Sequence, residues 1–264
     1  MAETKNPYIN PYNNYGTNEA EGNREWKNVK MNDENQEGDE EQLNSEWSNE
    51  MRLGFIRKVY GILSFQLLFT FLACSISMSN TKYLQFQISN PGLAYLCIFS
   101  TIASSIALVC CRSVARSIPL NYILLGVFTV GESYLVSFIC GTTNPNIVLM
   151  AAAMTCGVVM ALTIYAYTTK TDFTVMGSLM FVIACVMILF SIFMFFTNNK
   201  VMHIIYSSLG VIAFSIYLIY DTQLIVGNHE NKLDVDDFIV GALMLYMDII
   251  NLFLHILSLL KQAE

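Results

Sequence analysis

The chain has 264 residues, of which 54% are hydrophobic and only 13% are charged. About a quarter of the residues in a soluble domain are charged, so this composition argues against a soluble enzyme and favours a membrane protein. The formal net charge of −7 lies in the first 50 residues, which hold 12 of the 21 acidic and 4 of the 14 basic residues. The remainder is nearly neutral and has no basic surface suited to nucleic acid.

Residues 1–50 are rich in Asn, Glu, Gly and Tyr and contain almost no clustered aliphatic residues. Such a segment cannot bury enough apolar surface to offset the entropy of ordering. We therefore expect 1–50 to be a disordered acidic tail in the cytoplasm and 51–264 to form the membrane domain. The sequence leaves open whether the tail is a spacer or binds a partner.

Seven apolar runs follow the tail, each long enough to cross about 30 Å of hydrocarbon as a helix. The connections between them are short, and lipid requires each segment to satisfy its own backbone hydrogen bonds. We predict an all-α membrane protein, a seven-transmembrane helix bundle. The runs lie near 59–79, 93–111, 119–140, 146–167, 174–196, 201–222 and 238–260.

Lys and Arg near the span ends indicate the orientation, because they are enriched on the cytoplasmic side. With the N-terminus in the cytoplasm, seven of these basic residues lie inside and three outside. This favours a cytoplasmic N-terminus and a C-terminus on the opposite side. A re-entrant last helix would return the C-terminus to the cytoplasm.

The sequence has no Gly-rich phosphate loop, no nucleophile–base constellation and no His-x-x-x-His zinc pattern. We expect neither enzymatic activity nor a resident cofactor. The seven cysteines lie in or beside apolar runs without metal-site spacing, which is typical of small buried hydrophobic residues. For Cys110 and Cys111, which precede Arg112, lipidation is a second interpretation.

Asp248 is the most unusual residue of the last span. Acidic residues inside a span are costly and usually face the bundle interior, where they serve a site. Asn251 and His255 follow Asp248 at i+3 and i+7, on the same helix face. The stripe is either the inward face of a central helix or a buried hydrogen bond that only fixes helix packing.

Asp221 lies about six residues before Gly227, at which we expect its helix to end. Because the chain reverses before the last span, Asp221 and Asp248 should lie at comparable depth. Two neighbouring carboxylates in a poorly hydrated site should share a proton, as in a pH sensor. Tyr217, one turn earlier, could donate to Asp221. The alternative is that Asp221 is interfacial and faces water.

Glu132 lies in the middle of the third span. Binding a cation in transit and accepting a hydrogen bond from another helix are equally good interpretations. Arg112 and Arg116 border the end of the second span. Either could latch a carboxylate pair through a charge-assisted bond, although a positive-inside anchor is an equally good explanation.

Three stretches resemble the transmembrane Bax inhibitor motif family, in its lifeguard branch. The most specific is "IYDTQLIVGNHENKLDVDDFIVGALMLYMDIINLFLHIL" (219–257); the others are "RLGFIRKVYGILSFQLLFT" (52–70) and "VVMALTIYAYTTKTDFT" (158–174). The resemblance covers about residues 50–260. It implies a seven-helix bundle with the last helix near the centre, in the endoplasmic reticulum or Golgi membrane, and a role in restraining cell death.

The resemblance also implies a pH-sensitive calcium leak that is gated by two aspartates on the last two helices. These match Asp221 and Asp248, and the family's latch arginine matches Arg116 or Arg112, with Arg116 preferred. Calcium would be a transported ion that binds transiently to Asp221, Asp248 and Glu132.

Two functional hypotheses follow from these residues. The first is a calcium-permeable leak channel or a proton-linked calcium exchanger, in which Glu132 and the aspartate pair guide cations and Asn251, His255 and Tyr217 complete a polar network. The second is a non-conducting protein that binds cell-death regulators or calcium-release channels, with structural acids. Either protein would contact membrane lipids, and neither would bind nucleic acid.

Overall fold

A computed structural model describes residues 19–194, 196–197, 199–227 and 231–263. These residues are almost entirely helical and include no β-strand. Nine α-helices are described, with one 3-10 turn, Thr174–Met176, before α7. They are α1 (Glu19–Ser79), α2 (Thr81–Ser89), α3 (Pro91–Cys110), α4 (Arg112–Ala115), α5 (Leu120–Gly141), α6 (Pro145–Thr168), α7 (Gly177–Met194), α8 (Lys200–Val226) and α9 (Phe238–Ala263).

The chain divides into two units, Met1–Glu50 and Met51–Glu264. In the first unit, residues 1–18 lie outside the described residues, and the disorder predicted for them stays a prediction. Helix α1 begins at Glu19, and the predicted role of 1–50 as an acidic tail in the cytoplasm also stays a prediction. The segment 19–50 is rich in Glu, which has favourable helix propensity, and it contains no proline to end a helix.

The second unit confirms the predicted all-α class with seven spans. Seven helices are long and apolar enough to cross a membrane: Asn49–Ser79, Pro91–Cys110, Leu120–Gly141, Pro145–Thr168, Thr174–Met194, Lys200–Val226 and Phe238–Ala263. The short helices α2 and α4 lie in connections for which the sequence predicted no helix.

The last helix lies at the centre of the bundle, as predicted. Helix α9 packs against α3, α5, α6 and α8, and twelve of its residues are buried. Helix α1 contacts both α5 and α9 through polar side chains: Gln66 donates to Thr129 over 2.9 Å, and the hydroxyl of Thr70 lies 2.8 Å from that of Tyr246. The membrane domain therefore has a polar interior around α9.

Local sequence signals explain where the helices begin and end. Pro91 and Pro145 occupy the first helical positions of α3 and α6, where a missing N–H leaves no hydrogen bond unmade. Asn199 caps α8 by accepting from the Val201 N–H over 2.9 Å. Gly227 ends α8 in the left-handed region at φ 74°, a conformation that favours glycine. The reversal at Gly227 brings the end of α8 beside the start of α9.

Candidate functional site

Asp221 and Asp248 meet between α8 and α9. Both residues are about 4% exposed, and their carboxyl groups lie close enough to interact with each other. Asp221 lies five residues before the end of α8, and Asp248 lies ten residues after the start of α9. The reversal of the chain places them at comparable depth, and the structure brings together the two carboxyl groups that the sequence paired.

Two carboxyl groups that lie close together in a low-dielectric interior repel each other when both are ionised, which favours a proton on one of them. The second oxygen of Asp248, Oδ2, is buried and has no hydrogen-bond partner, and neither has the neighbouring Thr222 hydroxyl. Polar atoms left unpaired in a low-dielectric interior are uncommon and call for a functional explanation. Asp248 Oδ2 thus retains unused acceptor capacity.

Tyr217 does not bond to Asp221, which corrects the prediction. Its hydroxyl donates to the main-chain oxygen of Met180 on α7. The i−4 spacing places Tyr217 near Asp221 along α8, but its long side chain reaches past the carboxyl group to the neighbouring helix. Tyr217 therefore joins α8 to α7 and adds no donor to the aspartate pair.

Asn251 and His255, which the sequence placed on one face of α9 with Asp248, lie in different environments. Asn251 donates to the Met247 carbonyl of its own helix over 2.8 Å, so its amide is not part of the aspartate pair. His255 packs against α8, stacked on Phe214 with ring centroids 5.5 Å apart and edge-on to Tyr206 at 5.2 Å. The histidine is thus an aromatic packing residue in this structure.

Glu132 lies apart from the aspartate pair. It is half-buried on α5 and precedes the buried Ser133. The Tyr246 hydroxyl lies 2.8 Å from that of Thr70, which lies 2.8 Å from that of Ser133. Because Tyr246 and Asp248 are two residues apart on a helix, they point to opposite faces of α9. Glu132 therefore lies next in the chain to a second polar cluster, formed by Thr70, Ser133 and Tyr246.

Arg116 binds the loop between α8 and α9 rather than the aspartate pair, which corrects the predicted latch partner. Its Nε and Nη2 donate to the two carboxylate oxygens of Asp237 over 2.7 and 2.8 Å, and Nη2 also donates to Asp234 over 2.7 Å. Planar, bidentate contacts of this kind are the strongest arginine–carboxylate pairs. Arg112, the alternative latch, is exposed and acts on Asp234 only through its charge.

The contact changes the pKa values of Arg116 and Asp234. The hydrogen bond from Arg116 lowers the pKa of Asp234 below its ordinary value, and the two carboxylates in turn raise the pKa of the Arg116 guanidinium. Sequence reasoning missed Asp234 and Asp237 as partners, although "LDVDDF" places them directly before a span.

Arg52 is a second arginine at this end of the bundle that sequence reasoning treated only as an orientation signal. It donates to the carbonyls of Leu224, Val226 and Leu233 over 2.6, 3.2 and 2.5 Å. Its guanidinium also lies 4.7 Å above the ring of Phe55. A cation at a helix C-terminus satisfies unpaired carbonyls and complements the helix dipole. Arg52 thus fixes the end of the helix that carries Asp221.

Comparison with known proteins now identifies the family. Residues 52–264 match the sequence model of a family described as "Inhibitor of apoptosis-promoting Bax1". The chain belongs to this Bax inhibitor family. Human Protein lifeguard 3 is 34% identical over 220 residues, 81% of this chain and 71% of the relative. Protein LIFEGUARD 4 of Arabidopsis thaliana is 35% identical over 222 residues, 82% of this chain and 88% of the relative.

These relatives support the lifeguard branch of the Bax inhibitor family. Membership and seven apolar helices together indicate a multi-pass anti-apoptotic membrane protein, from a family not known as enzymes. Among the described residues, no group of three or more His, Cys, Asp or Glu side chains could hold a metal ion.

Proposed function

We propose that this lifeguard-branch protein is a pH-sensitive calcium leak channel, or a proton-linked calcium exchanger, that restrains cell death from an intracellular membrane, the endoplasmic reticulum or Golgi. The observation that carries the proposal is the buried pair of neighbouring carboxyl groups, Asp221 and Asp248, between α8 and α9. The family description supports the link to cell death.

The chemistry of the pair supports both parts of the proposal. Removing the shared proton would leave two carboxylates in contact inside a low-dielectric site, which is unfavourable unless a cation or a movement of the helices relieves it. Calcium prefers carboxylate oxygens, and Asp248 Oδ2 is an unused acceptor. Proton loss, cation binding and separation of α8 from α9 are therefore linked steps in the proposed mechanism.

In the proposal, the two arginines act on the loop that joins these helices. Arg116 holds the loop through Asp234 and Asp237, and Arg52 holds the end of α8. Any separation of α8 and α9 must be accommodated by this loop, so these contacts set how far the pair can open. In this proposal the latch arginine contacts the loop and does not contact the aspartate pair. Glu132 is a separate cation-binding position.

A flux experiment tests the proposal. Purified protein is reconstituted into vesicles that contain a calcium indicator, and the initial calcium flux is measured at pH 6 and pH 8. Asp221→Asn and Asp248→Asn, which remove the charge of one partner, should change the flux and flatten its pH dependence. Asp236→Asn is the matched control, because Asp236 is an exposed loop carboxylate outside the pair.

The second candidate is a non-conducting membrane protein that binds cell-death regulators or calcium-release channels. The contact between Asp221 and Asp248 favours this candidate to the extent that it serves only the packing of α8 against α9. Vesicles that contain wild-type protein and pass no more calcium than empty vesicles would support it and would refute the leak.

A further inference from the structure

The cysteines differ in their surroundings, whereas the sequence favoured burial for all seven and offered lipidation as a second interpretation for Cys110 and Cys111. Cys74 and Cys140 are buried in the core, whereas Cys110, Cys111 and Cys156 are exposed. Cys156 lies near the middle of α6, twelve residues before its end at Thr168, which is roughly 18 Å at 1.5 Å per residue. Cys110 and Cys111 are thus the two exposed thiols located at the end of a span in the described chain.

The backbone at this position presents both side chains outward. Cys110 is the last residue of α3, and Cys111 caps that helix by donating its N–H to the Ala107 carbonyl over 3.2 Å. The Cys111 carbonyl accepts from the N–H groups of Val114 and Ala115 over 2.9 and 3.0 Å, which starts α4. The main-chain groups of this junction are therefore occupied within the chain, and the two thiols point away from the core.

An apolar track leads from the cysteines into the membrane. Phe99, Ile102, Ile106 and Val109 are exposed on α3, and their spacing of three and four residues places them on one face. The track is about 15 Å long at 1.5 Å per residue. An acyl chain that is attached at Cys110 can lie along it and be surrounded by lipid.

We propose that Cys110 and Cys111 are an S-acylation site for a long-chain fatty acyl group. In the reaction, a cysteine sulfur attacks the carbonyl carbon of an acyl-coenzyme A thioester. The new carbon–sulfur bond replaces the bond to coenzyme A, which leaves as a thiol and takes up the proton that the cysteine loses. The exposed Arg112, next in the chain, attracts the phosphates of coenzyme A. Juxtamembrane cysteines are typical substrates of this reversible modification.

An acyl-exchange measurement on the full chain, purified from a eukaryotic host, tests the site. Free thiols are blocked under denaturing conditions, thioesters are cleaved with neutral hydroxylamine, and each released thiol is tagged with a maleimide–polyethylene glycol that shifts the protein on a gel. We expect up to two hydroxylamine-dependent tags on the wild type and none on the Cys110→Ser/Cys111→Ser double variant. Cys156→Ser, the matched control for another exposed cysteine, should keep the wild-type pattern.

The single variants assign the acyl group to one or both thiols, since each should lose the tag carried by its own cysteine. The absence of any hydroxylamine-dependent tag on the wild type would overturn the proposal. An undiminished tag on the double variant would also overturn it, by placing the acyl group on another cysteine. The wild-type measurement can overturn the proposal by itself, so the test does not depend on whether the double variant folds.

Discussion

Replacing Gly227 with alanine should destabilise the protein through the end of α8. Gly227 has φ 74°, and a Cβ atom there would clash with the Arg52 guanidinium. The left-handed conformation costs an alanine roughly 1–2 kcal/mol. Displacing Arg52 would weaken at least one of its three bonds to main-chain carbonyls, and a hydrogen bond to a charged group contributes about 1.5–3 kcal/mol. Together these effects predict a loss of roughly 2–5 kcal/mol.

Heating the detergent-solubilised protein and following the loss of monodisperse material by size exclusion measures this change. At about 2–4 °C per kcal/mol, Gly227→Ala should lower the midpoint by at least about 4 °C. Gly157→Ala is the matched control, because a Cβ at Gly157 meets nothing within 4 Å and alanine is a better helix former by about 1 kcal/mol. An unchanged midpoint for Gly227→Ala would refute the clamp that we assign to Arg52.

The remaining predictions concern α8 and the loop after it. Gly210→Ala would place a methyl group against the His255 ring, and overpacking of this kind costs about 1–3 kcal/mol, so the thermal midpoint should fall; an unchanged midpoint would contradict the close helix contact. Arg116→Lys loses the bidentate contact to Asp237, so hydrogen exchange of the 231–237 amides should accelerate, and unchanged exchange would contradict the loop latch. Arg116 lowers the pKa of Asp234 in the folded protein. The contact is therefore fully stabilising above the pKa of an unfolded aspartate, about 3.9, and is lost as the pH falls through the lower folded pKa. The exchange rate of these amides, corrected for the intrinsic rate, should be constant from pH 8 to 5 and rise below about pH 4.

The spans and the aspartate pair could be predicted from the sequence because each depends on a one-dimensional property. Apolar run length gives the seven helices, and counting residues from the reversal at Gly227 gives the depths of Asp221 and Asp248. The short helices α2 and α4 were not predicted, because nine- and four-residue helices between spans have no hydropathy signal of their own.

The contacts that sequence reasoning misassigned depend on where a long side chain ends. Tyr217 has the correct spacing to reach Asp221, but the Met180 carbonyl on another helix competes for its hydroxyl. Arg116 lies more than 100 residues from Asp234 and Asp237 in the chain, and only the placement of the loop between α8 and α9 brings them together. Partner choice of this kind is a tertiary property.

The most direct test of the proposed mechanism is the ratio of the initial calcium fluxes at pH 6 and pH 8 in reconstituted vesicles, for the wild type and for Asp248→Asn. A proton shared by Asp221 and Asp248 predicts a wild-type ratio clearly different from one and a variant ratio close to one. A wild-type ratio of one, or the same ratio in both proteins, would contradict the role that we assign to the pair.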